Sequence, residues 1–220
     1  MTTKIFSTRE ALRFGWNTTK NNLDFFVKLL IAFGLLFIIP AVIAGAVLPI
    51  NTFLGIILYI ADYSLTILIF MGLVKIALRF CDNEKGQLKD LFSQYRLFFK
   101  YLLASILYSL IVVAGVILLI IPGIIWGIKF WFFDYFVIDK KLGPIEALKQ
   151  SSAITRGARW QLLGFFIVMG LINLLGALSF LVGLFITIPV TMLAIAFVYR
   201  KLLAQTEIVS TTQTLSEATG

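Results

Sequence analysis

Residues 101–128 read YLLASILYSLIVVAGVILLIIPGIIWGI, with no charged side chain between Lys100 and Lys129. A helix that spans a bilayer needs about 20 apolar residues. Extended to Phe98 and Ile138, the stretch is long enough to cross twice. Phe98–Ile120 goes out, Ile121-Pro122-Gly123 turns, and Ile124–Ile138 returns. The blocks on either side read the same way. Phe25–Val47 and Phe53–Ile76 form a hairpin that turns at Leu48-Pro49-Ile50-Asn51, and Gln161–Leu178 with Val182–Val198 form another. Pro40 and Pro189 fall inside spans, where membranes tolerate them.

The charges agree with this division. All 19 lysines and arginines fall in Lys4–Lys28, Lys75–Lys100, Lys129–Arg159 and Arg200–Lys201, so each outward-and-return pass comes back to a basic margin. Such residues are retained on the cytoplasmic side. The expected fold is all-α, a polytopic six-helix transmembrane bundle with cytoplasmic N and C termini and outer loops of a few residues. Composition supports lipid as the solvent. The chain is 60% hydrophobic and 14% charged, against about 25% charged in soluble domains. Anionic headgroups account for the net charge of +8, which leaves no call for nucleic acid as a partner. The apolar run before Ala44-Gly45-Ala46 is as long as a full span, so the first helix is read as uncleaved.

The basic joints repeat. Glu10-Ala11-Leu12-Arg13 matches Glu146-Ala147-Leu148-Lys149 at an offset of 136, and Thr19-Lys20 then falls on Thr155-Arg156. Asp82-Asn83-Glu84-Lys85-Gly86 parallels Asp139-Lys140-Lys141-Leu142-Gly143 at an offset of 57. The chain therefore reads as one integral membrane domain, residues 1–205, built from three amphipathic-helix-plus-hairpin units (about 5–80, 86–139 and 143–204). A polar tail follows at 206–220. The units share one orientation, unlike the inverted repeats common in secondary transporters. Ser7-Thr8-Arg9-Glu10 has the form of a capping box, and Gly143-Pro144 starts the third leader. Leu88, Leu91, Phe92 and Tyr95 are spaced as one apolar helical face. Such leaders lie along a membrane surface, basic side to the headgroups.

Few residues carry chemistry. There is no histidine and one cysteine, Cys81, read as a packing residue. No catalytic constellation, cofactor-binding motif or metal-ligand spacing is present. Asp62 lies at about 13 Å depth and Lys129 at about 10 Å from the same side, at 1.5 Å per residue. Asn173 lies inside the fifth span, where it can hydrogen-bond to another helix. An intramembrane charge costs roughly 2.5–3.5 kcal/mol and faces protein or a wet cavity. Asp62, Lys129 and Asn173 therefore form the candidate intramembrane polar site, with a register-fixing ion pair or a snorkelling lysine as the structural alternative. Gly123-Ile124-Ile125-Trp126-Gly127 permits close helix approach, within the bundle or between copies.

One stretch resembles a known family. Pro122-Gly123 is followed by Lys129, then by Val137-Ile138-Asp139, Gly143-Pro144-Ile145-Glu146-Ala147-Leu148, Thr155-Arg156-Gly157 and Trp160. This is similar to a bacterial and archaeal six-helix membrane family that includes the membrane domain found beside glycerophosphoryl diester phosphodiesterase domains. Gln150 and Ser152 depart from its pattern, and no phosphodiesterase domain is attached, so the resemblance implies architecture without hydrolase activity. It also implies a bacterial or archaeal cytoplasmic membrane. Two readings of function follow. One is a non-enzymatic scaffold, accessory subunit or envelope-maintenance protein whose partners are membrane lipids, other membrane proteins or a second copy. The other is a small transporter or channel built on Asp62 and Lys129.

Overall fold

A computed structural model describes residues 5–179 and 183–218, with the side chains of 209–218 excepted. Lys4, the expected start of the last span at Val182 and the extreme C terminus lie outside the described residues. The elements in order are α1 (Thr8–Asn21), α2 (Leu23–Val47), α3 (Thr52–Cys81), α4 (Phe98–Leu118), α5 (Ile120–Phe130), α6 (Phe133–Asp139), α7 (Pro144–Ile154), α8 (Arg159–Leu178) and α9 (Leu184–Ala218). Two 3-10 turns, Leu88–Phe92 and Tyr95–Leu97, precede α4. No strand occurs among the described residues. Six segments are long and apolar enough to cross a membrane, with α5 and α6 together making the fourth. They pair into the three hairpins α2–α3, α4–α5/α6 and α8–α9. The last helix continues to Ala218, through the segment read as a tail.

Several boundaries differ from the expected ones for local reasons. The second hairpin turns at Leu119, which is extended, while Pro122 sits inside the first turn of α5. Proline is accommodated there because the amide it lacks would have no intrahelical partner. The return span is broken at Trp131–Phe132 between α5 and α6. The second leader is two 3-10 pieces rather than one helix. Only Leu91 of its apolar set is buried, while Leu88, Phe92 and Tyr95 are exposed. The first leader is helical as expected, and Ser7 Oγ accepts the Glu10 amide at 3.2 Å. The reciprocal half of the capping box is replaced: the Glu10 carboxylate reaches Lys201 at 3.1 Å.

Each leader packs on a return helix. Leu88–Phe92 packs on α3, which it follows in the chain, and α7 packs on α6 and α5, which it follows, and also on α4. The first leader, α1, lies along α9, the return helix of the third hairpin. The pattern is therefore cyclic. Backbones meet at two of these seats, where a side chain on Gly72 would collide with the Leu91 backbone and one on Gly15 with the Val190 carbonyl. The buried faces of two leaders coincide under the 136-residue offset, with Ala11, Gly15 and Thr19 of α1 matching Ala147, Ser151 and Thr155 at α7. Asn83 and Lys141, just past the caps of α3 and α6, both adopt left-handed backbone (φ 59° and 55°).

The core gathers at the leader ends of the hairpins. Ile76–Leu78 of α3, Phe132–Ile138 around α6 and Leu193–Leu203 of α9 supply many of its buried residues. Hairpin tips are bare, as Ile50 (85% exposed), Ile117 (79%) and Leu178 (71%) show. Contiguous apolar exposure on this scale requires lipid as the covering solvent.

Candidate functional site

Polar residues of the spans are placed by bonds between helices. Asn173 of α8 donates from Nδ2 to Thr191 Oγ1 of α9 at 3.2 Å, and the Thr191 hydroxyl donates to the Thr187 carbonyl at 2.9 Å. Asp62 is half-buried in α3, its Oδ1 shut from solvent without a hydrogen-bond partner. Lys129 lies in the last turn of α5, its Nζ 4.6 Å from the centroid of the Phe130 ring. Among the described residues no ion pair joins Asp62 to Lys129. Their helices are not close packing neighbours, because α3 packs on α2, α4, α6, α9 and Leu88–Phe92, and α5 on α4, α7 and α8. Similar depth did not entail adjacency. Three cavities are described, and none has Asp62, Lys129 or Asn173 in its lining.

What α7 seeks in Lys129 is its backbone. The Lys129 carbonyl accepts from Ser151 Oγ at 3.2 Å and Thr155 Oγ1 at 3.0 Å, and the Phe132 amide donates to Ser151 Oγ at 3.0 Å. Two hydroxyls of the third leader thus satisfy backbone groups freed by the break in the second return span. Unsatisfied, each would cost several kcal/mol in hydrocarbon.

The other family-motif residues are assigned by the same geometry. Gly123 packs against Val116, 2.8 Å from its amide nitrogen for a built-on Cβ, so it closes the second hairpin near its tip. Gly143 caps α7 and Pro144 opens it. Glu146 accepts from Gln150 Nε2 at 2.8 Å, one turn along. Ala147 and Leu148 are buried. Gly157 takes the left-handed conformation (φ 87°) that turns the chain towards α8. Arg156 and Trp160 are exposed.

The densest polar constellation lies at the leader ends. Arg200 of α9 is forked onto Asp139 (Nη1–Oδ2 2.7 Å, Nη2–Oδ1 3.0 Å), and its Nη2 also reaches Asp82 Oδ2 at 2.6 Å. The Tyr199 hydroxyl donates to Asp139 Oδ2 at 3.1 Å. Asp82 and Asp139 end the first two return helices, and Arg200 lies on the third, so one guanidinium ties all three hairpins. A second fork joins Arg79 to the buried Asp90 (2.8 Å) and to Glu84 (3.0 Å), fixing the second leader against α3. Asp82 and Asp139 were visible in advance as a repeat correspondence, whereas Arg200 read only as part of a short basic margin. By contrast Arg9, Arg13, Lys20, Lys89, Lys149 and Arg156 are exposed and have no carboxylate partner among the described residues. No metal-ligating cluster occurs among the described residues.

Six long apolar helices with exposed apolar faces and a junction made of ion pairs define a polytopic α-helical membrane protein. The chain belongs to the family described as Domain of unknown function (DUF7847), whose model matches residues 96–218, from just before α4 to the end of α9. It is also similar to uncharacterized protein Rv2560 of Mycobacterium tuberculosis (strain H37Rv) and uncharacterized protein Mb2590 of Mycobacterium bovis. Each is 28% identical over 151 residues, covering 68% of this chain and 45% of the relative. The chain thus matches under half of those relatives' length. No solved structure matches the chain.

Proposed function

We propose that the protein is a non-enzymatic component of a bacterial or archaeal cytoplasmic membrane, a scaffold or accessory subunit in envelope maintenance. Its leaders and both termini face the cytoplasm, a reading that the segregation of lysine and arginine supports. The observation that carries this reading is where the polar groups go. Arg200, Arg79, Asn173, Ser151 and Thr155 are all engaged in bonds that hold helices or breaks in place. The exposed cations of the leaders are left for lipid headgroups, for another membrane protein or for a second copy. Kinship with the membrane domain that accompanies glycerophosphoryl diester phosphodiesterases is part of the same proposal and brings no hydrolase activity with it.

The test is extraction of the native protein in mild detergent, with mass spectrometry of what stays bound. A retained lipid or membrane-protein partner supports the scaffold. Absence of both, together with solute flux in proteoliposomes that disappears in Asp62→Asn, replaces it with a transporter.

A further inference from the structure

We infer that the groove between α1 and the α8–α9 hairpin binds one anionic phospholipid, with the phosphate held by Arg9 and Arg13 and an acyl chain along the opposite wall. The groove measures about 570 Å³ and is lined by Arg9, Arg13 and Trp16 of α1 on one side and, on the other, by Ile172, Ile186 and Val190 with Thr187 among them. That size lies within the range of small-molecule sites, about 300–1,000 Å³. Arg9, Arg13 and Trp16 are four and three residues apart, so they share one face of α1. The Ser7 cap, the Glu10–Lys201 pair and the backbone contact of Gly15 with Val190 fix that face in place.

Charge complementarity selects the headgroup. Neither arginine has a carboxylate partner among the described residues, and Glu10, the acidic residue of α1, is engaged by Lys201. Guanidinium forks match phosphate oxygens bidentately. The opposite wall selects the remainder. Ile172, Ile186 and Val190 belong to membrane spans, and against them an acidic peptide would bury backbone amides and carbonyls without partners. An acyl chain has none to bury. Trp16, half exposed at 51%, is the amphipathic ring expected where hydrocarbon gives way to headgroups.

The inference rests on the leader α1 standing at the cytoplasmic side, as in the proposed function. The assay below reads lipid binding alone, so its failure leaves the scaffold role to its own co-purification test. The full chain in mild detergent is titrated with phosphatidylglycerol or phosphatidylcholine of matched acyl chains and followed by native mass spectrometry. One phosphatidylglycerol is expected to bind in preference to phosphatidylcholine. Arg9→Gln/Arg13→Gln should weaken it about thirtyfold, while Lys89→Gln/Lys149→Gln, with the same charge change, leaves it intact. Ile186→Trp keeps both arginines but fills the wall and should also abolish retention, which covers the case of a misfolded arginine variant. Equal binding of the two lipids overturns the site, as does equal loss in the lysine control. Displacement of the lipid by inorganic phosphate or by a second copy of the chain overturns it as well.

Discussion

Arg200 is the residue on which the three hairpins depend, because two carboxylates converge on it and no other cation contacts either one among the described residues. Removing one partner of a fully buried pair costs about 3–5 kcal/mol. Asp82 keeps 45% of its side chain exposed, so Arg200→Gln should cost nearer 2–3 kcal/mol, read as a lowered Tm in detergent. Arg200→Lys should restore only part of this, since an ammonium lacks the planar fork that spans Asp139 and Asp82. Lys129 teaches a related lesson. Its side chain drew notice as a charge inside a span, yet the bundle uses its carbonyl, which every residue possesses and no sequence pattern advertises. Lys129→Met is accordingly expected to leave stability unchanged. Ser151→Ala, which strips the hydroxyl from the Phe132 amide and the Lys129 carbonyl, should cost about 1–3 kcal/mol. Paired thermal melts of the two variants decide between side chain and backbone.

The helices were legible where the signal was long. Long apolar runs revealed all six spans despite Asp62 and Lys129 inside two of them, and Ser7 and Gly143-Pro144 marked the starts of two leaders correctly. Short-range features were less visible. Trp131–Phe132 breaks a span without any polar or glycine signal, because the compensating hydroxyls sit about twenty residues later on α7. The spacing of Leu88, Leu91, Phe92 and Tyr95 pointed to a single helix. The structure instead tightens the segment into 3-10 turns, with the Arg79–Asp90 fork pinning it to α3. Docking of that segment depends on Gly72. Gly72→Ala places a methyl against the Leu91 backbone and should cost about 1–3 kcal/mol through overpacking. The expected readout is faster tryptic cleavage at Lys85 and Lys89. Gly34→Ala, where nothing lies within 4 Å of the new methyl, is the matched control and should leave the cleavage rate alone.

At the scale of the molecule, charge segregation made an orientation readable while the cyclic closure stayed hidden. The α1–α9 seam is formed by Ala11, Gly15 and Thr19, small residues whose pairing leaves little trace beyond their echo in Ala147 and Thr155. Orientation is open to direct test. In a Cys81→Ser background, Asn51→Cys at a hairpin tip should react with a membrane-impermeant maleimide in intact cells, and Lys89→Cys only after permeabilisation. The reverse pattern would invert the bundle.

The same seam sets an order in time. Synthesis runs from α1 towards α9, so the leader is made long before the helix that seats it, with two complete hairpins inserted in between. Throughout that interval Ala11, Gly15 and Thr19 have no counterpart. A ribosome that stalls before Leu184 leaves α1 unseated on the membrane. Until α9 is inserted, the nascent chain thus presents a leader whose seat has not yet been made.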